Sequence, residues 1–340
     1  MGKIAILLSG GVDSSVVAYL VKRKYKTDIV AFTLLLYNNW DDIESAKKVA
    51  DYLKIPHEVL DLRKPFKERV FNYFLNSYKR GETPNPCAIC NQEIKLGLAT
   101  EILVSQGFEK IFTGHYVRKE SVDYFTVLKR GKDLKKDQSY FLALLKPKYL
   151  QFLEFPLGVF TKEEVRKIAV EAGLPTRNRK ESQDICFLEG KKLKEFLKSY
   201  IPPKAGKFIY KGIEIGTHEG YYSFTVGQRR GLGVRVGKPV YVKEIIADKN
   251  LVVLGDKEEL LTNEVVLKKL NFFVDKDILN KYPLWGQIRY RTPAVEVEDF
   301  LFTSKGLRLR FKNPFVGVAR GQIGALYWNN ETLVAGGIVC

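Results

Sequence analysis

Sulfur and imidazole are scarce in this chain: of its 340 residues four are Cys, one is Met and three are His. Four scattered cysteines without a secretory leader do not make a disulfide framework, so thiol chemistry or metal binding is their expected use. A structural zinc set is not expected, because no second CxxC and no HxxxH completes one. No apolar run reaches the ~18 residues of a membrane-crossing helix. The first apolar stretch, Ile4–Leu8, runs straight into a polar loop and is no signal peptide, so a cytoplasmic chain is expected. Low-complexity segments and repeats are missing as well. Acidic residues are short in supply: 39 against 56 bases, for a net charge of +17 and a pI near 9.5. Lys/Glu enrichment of the thermophilic kind, which a single Met hints at, would raise both signs together. The imbalance points to a polyanionic partner, nucleic acid rather than a membrane surface. What remains is ample apolar material, 45% of the residues, enough for a real core, and a length of roughly two or three domains.

The most informative segment is Ser9-Gly10-Gly11-Val12-Asp13-Ser14-Ser15, directly after Ile4–Leu8. A buried strand, a glycine turn and a helix with Val12, Val16, Val17, Leu20 and Val21 on one face make a phosphate cradle. Glycines let the backbone approach a ligand, and unpaired N–H groups at the helix start favour an anion. No Lys follows the glycines, so this is not a Walker loop. The string SGGVDSS resembles the pyrophosphatase loop of N-type ATP pyrophosphatases, which implies cleavage of ATP to AMP and pyrophosphate.

Strands and helices alternate through the first two hundred residues. Strand runs fall at 28–37, 58–62 and 110–113, and helices at 44–53, capped by Asp41 or Asp42, and 92–105. This is the pattern of a doubly wound parallel sheet, α/β in class, whose ligands sit at the carboxyl ends of strands near Ser9, Leu34 and Gly114. Thr161 and Glu164 form a capping box for a further helix. After Pro202-Pro203 the texture shifts to short alternating runs with glycine turns, read as two small antiparallel β domains, the last barrel-like. The expected domains are a catalytic one over 1–202 with helical insertions, a central β domain over 203–261 and a C-terminal β-barrel over 262–340.

Two cysteine segments stand out. In Gly81-Glu82-Thr83-Pro84-Asn85-Pro86-Cys87-Ala88-Ile89-Cys90-Asn91 the prolines stiffen a loop, and a thiol opens a helix, a position expected to lower its pKa. In Arg179-Lys180-Glu181-Ser182-Gln183-Asp184-Ile185-Cys186-Phe187 a lone thiol lies among charges; Arg179 and Lys180 favour its thiolate and Asp184 opposes it. Cys340, the last residue, reads as an inert terminal thiol. The basic run Lys129, Arg130, Lys132, Lys135, Lys136 suits either phosphate contact or a solvated loop. Gln228–Gly233 is a basic glycine turn, and Tyr290 between Arg289 and Arg291 suits stacking on an unpaired base or one solvent face of a strand. His57 and His218 have no evident partner.

Taken together, SGGVDSS, TPNPCxxCN, TGHY, KDQSYFL, ESQDICF, SFTVGQRRGLG and the Arg289-Tyr290-Arg291 strand resemble the tRNA-specific 2-thiouridylases in order and over nearly the whole chain. The resemblance implies ATP-dependent 2-thiolation of the wobble uridine: adenylation of O2, then sulfur transfer from a cysteine persulfide. It implies Cys90 as nucleophile, Cys186 as persulfide carrier, a transient Cys90–Cys186 disulfide, and Asp13 as a catalytic carboxylate. Leu7, Leu8, Ser9, Gly10, Gly11, Val12, Asp13, Ser14, Leu34 and Gly114 would hold ATP with Mg²⁺; Asn85, Pro86 and Cys87 would line the target base. His115, Lys136, Asp137, Gln138, Arg289, Tyr290 and Gln322 would meet the anticodon arm of tRNA. A persulfide-donating sulfur carrier or cysteine desulfurase would supply sulfur. Many members carry Asp where this chain has Cys87, so Cys87, Cys90 and Cys186 could alternatively ligate an iron–sulfur cluster. A small-molecule amide or nucleotide synthetase on the same loop, and a non-enzymatic RNA-binding protein, are the other readings weighed.

Overall fold

In the computed structural model, which describes residues 2–180 and 185–340, the opening apolar run becomes β1 (Lys3–Leu7), followed by α1 (Val12–Lys24). Val12, Val16, Val17 and Val21 of α1 are buried, each burial contributing about 1.5–3 kcal/mol. There follow β2 (Ile29–Leu35), α2 (Trp40–Leu53), β3 (His57–Asp61), β4 (Phe108–Phe112), β5 (Val117–Val122), β6 (Phe125–Arg130) and β7 (Leu153–Glu154). Strands β3-β2-β1-β4-β7 form one all-parallel sheet. One apolar cluster joins α1, α2 and the helix Lys162–Glu171; another, on the far side, takes the helical stretches 63–79 and 86–105. The doubly wound class is therefore observed. Its strand order reverses between β1 and β4, which opens a crevice beyond their carboxyl ends. The cap of α2 is Asn39, not Asp41 or Asp42; both aspartates sit in its first turn, where they complement the helix dipole.

The next sheet holds β8 (Gly206–Tyr210), β9 (Ile213–His218), β10 (Tyr241–Ile246) and β11 (Leu251–Gly255) in the order β10-β11-β8-β9. It is not wholly antiparallel: β11 runs parallel to β8, because the long connection over 219–240 returns the second hairpin alongside the first. The last strands are β12 (Leu261–Phe272), β13 (Leu284–Gln287), β14 (Val295–Thr303), β15 (Gly306–Val316), β16 (Ile323–Trp328) and β17 (Thr332–Val339). They follow the order β12-β15-β14-β13-β16-β17, and the β12–β17 pairing closes them into a six-stranded antiparallel barrel. Asn329 and Asn330, both left-handed at φ 50° and 56°, make the tight turn expected there. Arg289-Tyr290-Arg291 is not a strand. It is a turn after β13, with Arg291 at φ 62°. Among the described residues no helix is long and apolar enough to cross a membrane.

One pairing has no signature in the local sequence: the hairpin β5–β6 leaves the first sheet's neighbourhood and extends the barrel through β6–β17. Its join is an ionic staple. Asp137, nearly inaccessible, accepts from Arg130 Nη1 (2.9 Å), Ser139 Oγ (2.7 Å), and the Gly131 and Ser139 backbone N–H groups (3.0 and 3.1 Å). Arg130 also donates to Gln287 and Asn330 and stacks 3.9 Å over the Tyr327 ring. Asp137→Ala strands a buried guanidinium, so a loss of about 3–5 kcal/mol is expected in urea unfolding, whereas an exposed-lysine control such as Lys135→Ala leaves stability within about 0.5 kcal/mol.

Candidate active site

The crevice between β1 and β4 is floored by the glycine loop. Gly10 is left-handed at φ 72°, and a Cβ there would stand 2.5 Å from the Asp42 carbonyl and 2.9 Å from Ser45 Cβ, so only glycine fits. Gly11 occupies the cap position of α1 without any side-chain cap, which leaves the helix start to an incoming anion. The loop hydroxyls bind inward: Ser14 Oγ takes the Ser9 N–H at 3.1 Å, and Ser14 and Ser15 both donate to the Gly11 carbonyl. From β4, Gly114 closes on this loop, so near that a Cβ would lie 3.2 Å from Ser14 N. Leu34 stands on β2, two residues past the Phe32 carbonyl that takes the Leu8 N–H. Leu7, Leu8, Ser9, Val12, Leu34 and Gly114 thus share one end of the sheet. His57 does find a partner, Thr33 Oγ1 at 2.8 Å, which in turn donates to the Leu8 carbonyl.

Asp13 faces two donors that the sequence did not reveal. Lys162 Nζ reaches Asp13 Oδ1 at 2.6 Å, and the Tyr116 hydroxyl reaches the same oxygen at 2.7 Å. Lys162 is buried because the Thr161–Glu164 capping box opens its helix at this spot and makes it the first helical residue. The capping box was legible; that its N1 residue aims at the loop was not.

Beside the loop lies the cysteine helix. Asn85 Oδ1 accepts from the Ala88 N–H at 3.1 Å, Pro86 is the first helical residue, and Cys87 and Cys90 follow. The helix widens into a π-helical stretch, Asn91–Leu98, where Gly97 is obligatory since a Cβ would lie 2.1 Å from the Gln92 carbonyl. In an α-helix positions 90 and 95 diverge by about 140°. The i→i+5 bonding of the π stretch brings Lys95 back toward the cysteine face. All four cysteines are free thiols. The expected lowering of the cysteine pKa values is overturned. Burial pushes the Cys90 thiol up to about 12 and, at the accessible but protein-crowded Cys87, up to about 11; Lys95 pulls both down without outweighing it. Burial pulls the Lys95 ammonium down, yet Cys90, Cys186, Cys87 and Asp42 together hold it above its ordinary value. No carboxylate is in contact with Lys95 among the described residues. Sequence reading missed this lysine, because its place depends on a π turn that no spacing rule announces.

Cys186 is exposed and belongs to the same electrostatic group as Cys87 and Cys90. The Tyr37 hydroxyl shares a hydrogen bond with it, and burial first, then the charges of Cys186 and Asp42, push that hydroxyl above its ordinary range. Glu181–Asp184 of its motif lie outside the described residues. Arg179 does not serve the Cys186 thiolate as expected: its guanidinium holds the Gly10 carbonyl (2.7 Å) and Asp42 (2.6 Å).

The remaining candidates divide. His115 is half-buried; its Nδ1 bonds Thr113 Oγ1 at 2.9 Å, and burial, then Lys95, depress it to about 3, so it is neutral at physiological pH. Asp137 is consumed by its staple, and Gln138 pairs with the Tyr116 backbone at 2.9 and 3.0 Å. Lys136 is half-buried between them. Of the basic run, Lys129 and Lys132 pair with Glu120 and Glu164. Gln322 does not point outward: its amide donates to the Thr83 carbonyl at 2.6 Å, and Thr83 N–H binds the Arg320 carbonyl at 2.8 Å. The barrel thereby clamps the loop that carries Asn85, Pro86 and Cys87. Arg289 is exposed, and Tyr290 leans on Phe141 at 4.3 Å. No three His, Cys, Asp or Glu side chains, Cys87, Cys90 and Cys186 included, converge on a metal-sized site among the described residues.

Three family models match in succession: the tRNA methyl transferase HUP domain over residues 2–190, the tRNA methyl transferase PRC-barrel domain over 194–256, and the Aminomethyltransferase beta-barrel domain over 262–339. The chain is 43% identical to the tRNA-specific 2-thiouridylase MnmA of Persephonella marina, covering 99% of each protein. It is 40% identical to that of Aquifex aeolicus, over 99% of this chain and 98% of the relative. Among solved structures, the NH3-dependent NAD synthetase of Campylobacter jejuni aligns with 51% of this chain and 65% of its own, at 19% identity and a TM-score of 0.28. The fold assignment rests on strand order, not on that likeness.

The cation among the thiols has a measurable consequence. Lys95 lowers the Cys90 pKa, so Lys95→Met raises it, and each unit costs about tenfold in thiolate. Alkylation of Cys90 by iodoacetamide at pH 9, followed by peptide mass, is expected to slow in Lys95→Met and to be largely retained in Lys95→Arg. Equal rates in all three proteins would show that the ammonium does not reach the sulfur.

Proposed function

The chain belongs to the tRNA-specific 2-thiouridylase family, and from that premise we propose how it replaces O2 of the wobble uridine of tRNA by sulfur while ATP is cleaved to AMP and pyrophosphate. The observation that carries the reading is a succession of neighbours. Gly114 stands against the glycine loop, His115 beside it feels the charge of Lys95, and Lys95 feels the charges of three thiols. The descriptions of the matching family models speak of methyl transfer; a group of thiols around a lysine suits sulfur chemistry instead.

ATP lies along Leu7–Ser14 with Leu34 and Gly114 beside the adenosine. Its pyrophosphate rests on the uncapped start of α1, and magnesium enters as part of MgATP, with Asp13 the loop carboxylate to meet it. The target uridine is turned out of its stack into the site lined by Asn85, Pro86 and Cys87. Its O2 attacks the α-phosphorus and pyrophosphate leaves. Orientation and charge do most of the work in such a step. Lys162 and Tyr116, both on Asp13, hold the carboxylate in place during it.

Sulfur arrives as a persulfide on the exposed Cys186, deposited by a sulfur carrier or a cysteine desulfurase. Its terminal sulfur attacks C2, the C2–O bond breaks, and AMP departs with the oxygen. Cys90 thiolate then attacks Cys186 Sγ; the S–S bond breaks, the thiocarbonyl remains on the base, and a Cys90–Cys186 disulfide is left for an external thiol to reduce. The anticodon arm spans the first domain and the barrel, boundaries being drawn at residues 202 and 261, with Arg289 exposed for phosphate. The compartment is the cytoplasm.

Incubation with MgATP, a persulfide donor and unmodified tRNA, with nucleosides resolved by mass, should yield 2-thiouridine. Cys186→Ala should abolish thiolation yet still release pyrophosphate when tRNA is present; Asp13→Ala should stop pyrophosphate release itself. Normal thiolation by Cys186→Ala would overturn the assignment of the sulfur carrier.

A further inference from the structure

Cys186 has a fixed residue on each side in the chain. Directly after it Phe187 is buried among Phe66, Phe71, Phe74 and Phe196, with ring centroids 5.1–5.8 Å away and edge-on to the first three. Before it in the chain, Arg179 is anchored. One arm of that guanidinium donates to the Gly10 carbonyl (2.7 Å), the other to Asp42 Oδ1 (2.6 Å), and the group is about one third exposed. Gly10 belongs to the nucleotide loop and is packed against the backbone of Asp42 itself. Asp42 lies in the first turn of α2, and Tyr37, just before that helix, feels the charges of both Cys186 and Asp42. A closed path therefore runs from the loop carbonyl through Arg179 and Asp42 to the corner that holds the sulfur.

We propose that Arg179 is a positioning residue that ties the placement of Cys186 to the nucleotide loop. The inference rests on the proposed function for the sulfur carrier and for the nucleotide at the glycine loop. Arginine suits this role because its planar fork serves two acceptors at once and its charge is never lost. An ammonium on Lys lacks that fork and would have to serve both acceptors from a single nitrogen. The loop glycines accept the guanidinium because the Gly10 carbonyl is turned out by its left-handed φ of 72°. Phosphate settling at the start of α1 bears on that same carbonyl's loop, so a filled loop and an empty one present different footings to Arg179, and through it to Cys186.

The test uses the full chain and two readouts. The first needs no tRNA: the alkylation rate of Cys186 by iodoacetamide, by peptide mass, with and without MgATP, in the native protein, Arg179→Ala, Arg179→Lys and Asp42→Asn. The native rate is expected to change on adding MgATP. In Arg179→Ala the rate without nucleotide should rise several-fold and the response to MgATP should vanish. Arg179→Lys, which keeps the charge without the planar fork, and Asp42→Asn, which keeps a neutral acceptor, should both fall between. The second readout compares thiolation with pyrophosphate release in the presence of tRNA. Arg179→Ala should depress thiolation by about tenfold to a hundredfold more than pyrophosphate release, the range that misplacement by about 1 Å produces. Equal losses in both, or a Cys186 alkylation rate that ignores both MgATP and the substitution, would overturn the proposal and leave Arg179 a simple loop brace. A native protein that makes no 2-thiouridine would instead overturn the proposed function, with the alkylation result still readable by itself. Thermal unfolding of each variant separates a loosened corner from a lost fold.

Discussion

Protein crowding that disfavours the thiolate at Cys87 and Cys90 is the constraint on which the rest of this structure depends. Burial is the largest influence on Cys87 and Cys90, and it acts against the charged form that sulfur chemistry needs. One ammonium, Lys95, is set among three sulfurs to oppose it. The balance leaves the resting thiols protonated, protected from stray oxidation and alkylation, and keeps a cation in reach of whichever sulfur becomes an anion during the reaction. A cleft more open to solvent would lower the thiols at once and would also let water compete for an adenylated base.

Each layer of the fold serves that crevice. The parallel sheet reverses its strand order between β1 and β4, which is where backbone leaves room for a nucleotide. The π stretch in the cysteine helix turns Lys95 inward. The barrel is not a separate appendage. Gln322 and Arg320 grip Thr83, the hairpin β5–β6 extends the barrel sheet, and Asp137 staples that join. Sulfur-site geometry is thus held from both ends of the chain, while the glycine loop is held by Arg179 and Lys162 from the helix Lys162–Glu171 and the loop that follows it.

Several polar residues that look like contacts for a polyanion are instead structural. Arg130, Lys129, Lys132, Asp137, Gln138 and Gln322 are each engaged inside the protein. The net charge of +17 still favours nucleic acid, and it is exerted by exposed groups such as Arg289 and, within that run, Lys135. His115, neutral under physiological conditions, offers a ring and a hydrogen bond in the crevice and no charge.

Local patterns were enough for everything governed by neighbours in the chain. The strand–glycine–helix loop, the Thr161 capping box, the Asn329-Asn330 turn, the alternation that makes a parallel sheet and the order of the motifs all follow from short-range sterics and periodicity. Tertiary structure alone decided what depends on distant segments meeting. It placed Lys95 among the thiols, reversed the expected direction of their pKa values, sent Arg179 to Gly10 and Asp42, aimed Lys162 at Asp13, and joined β5–β6 to the barrel. Burial and electrostatics are sums over groups far apart in the chain, and a one-dimensional pattern carries no term for them.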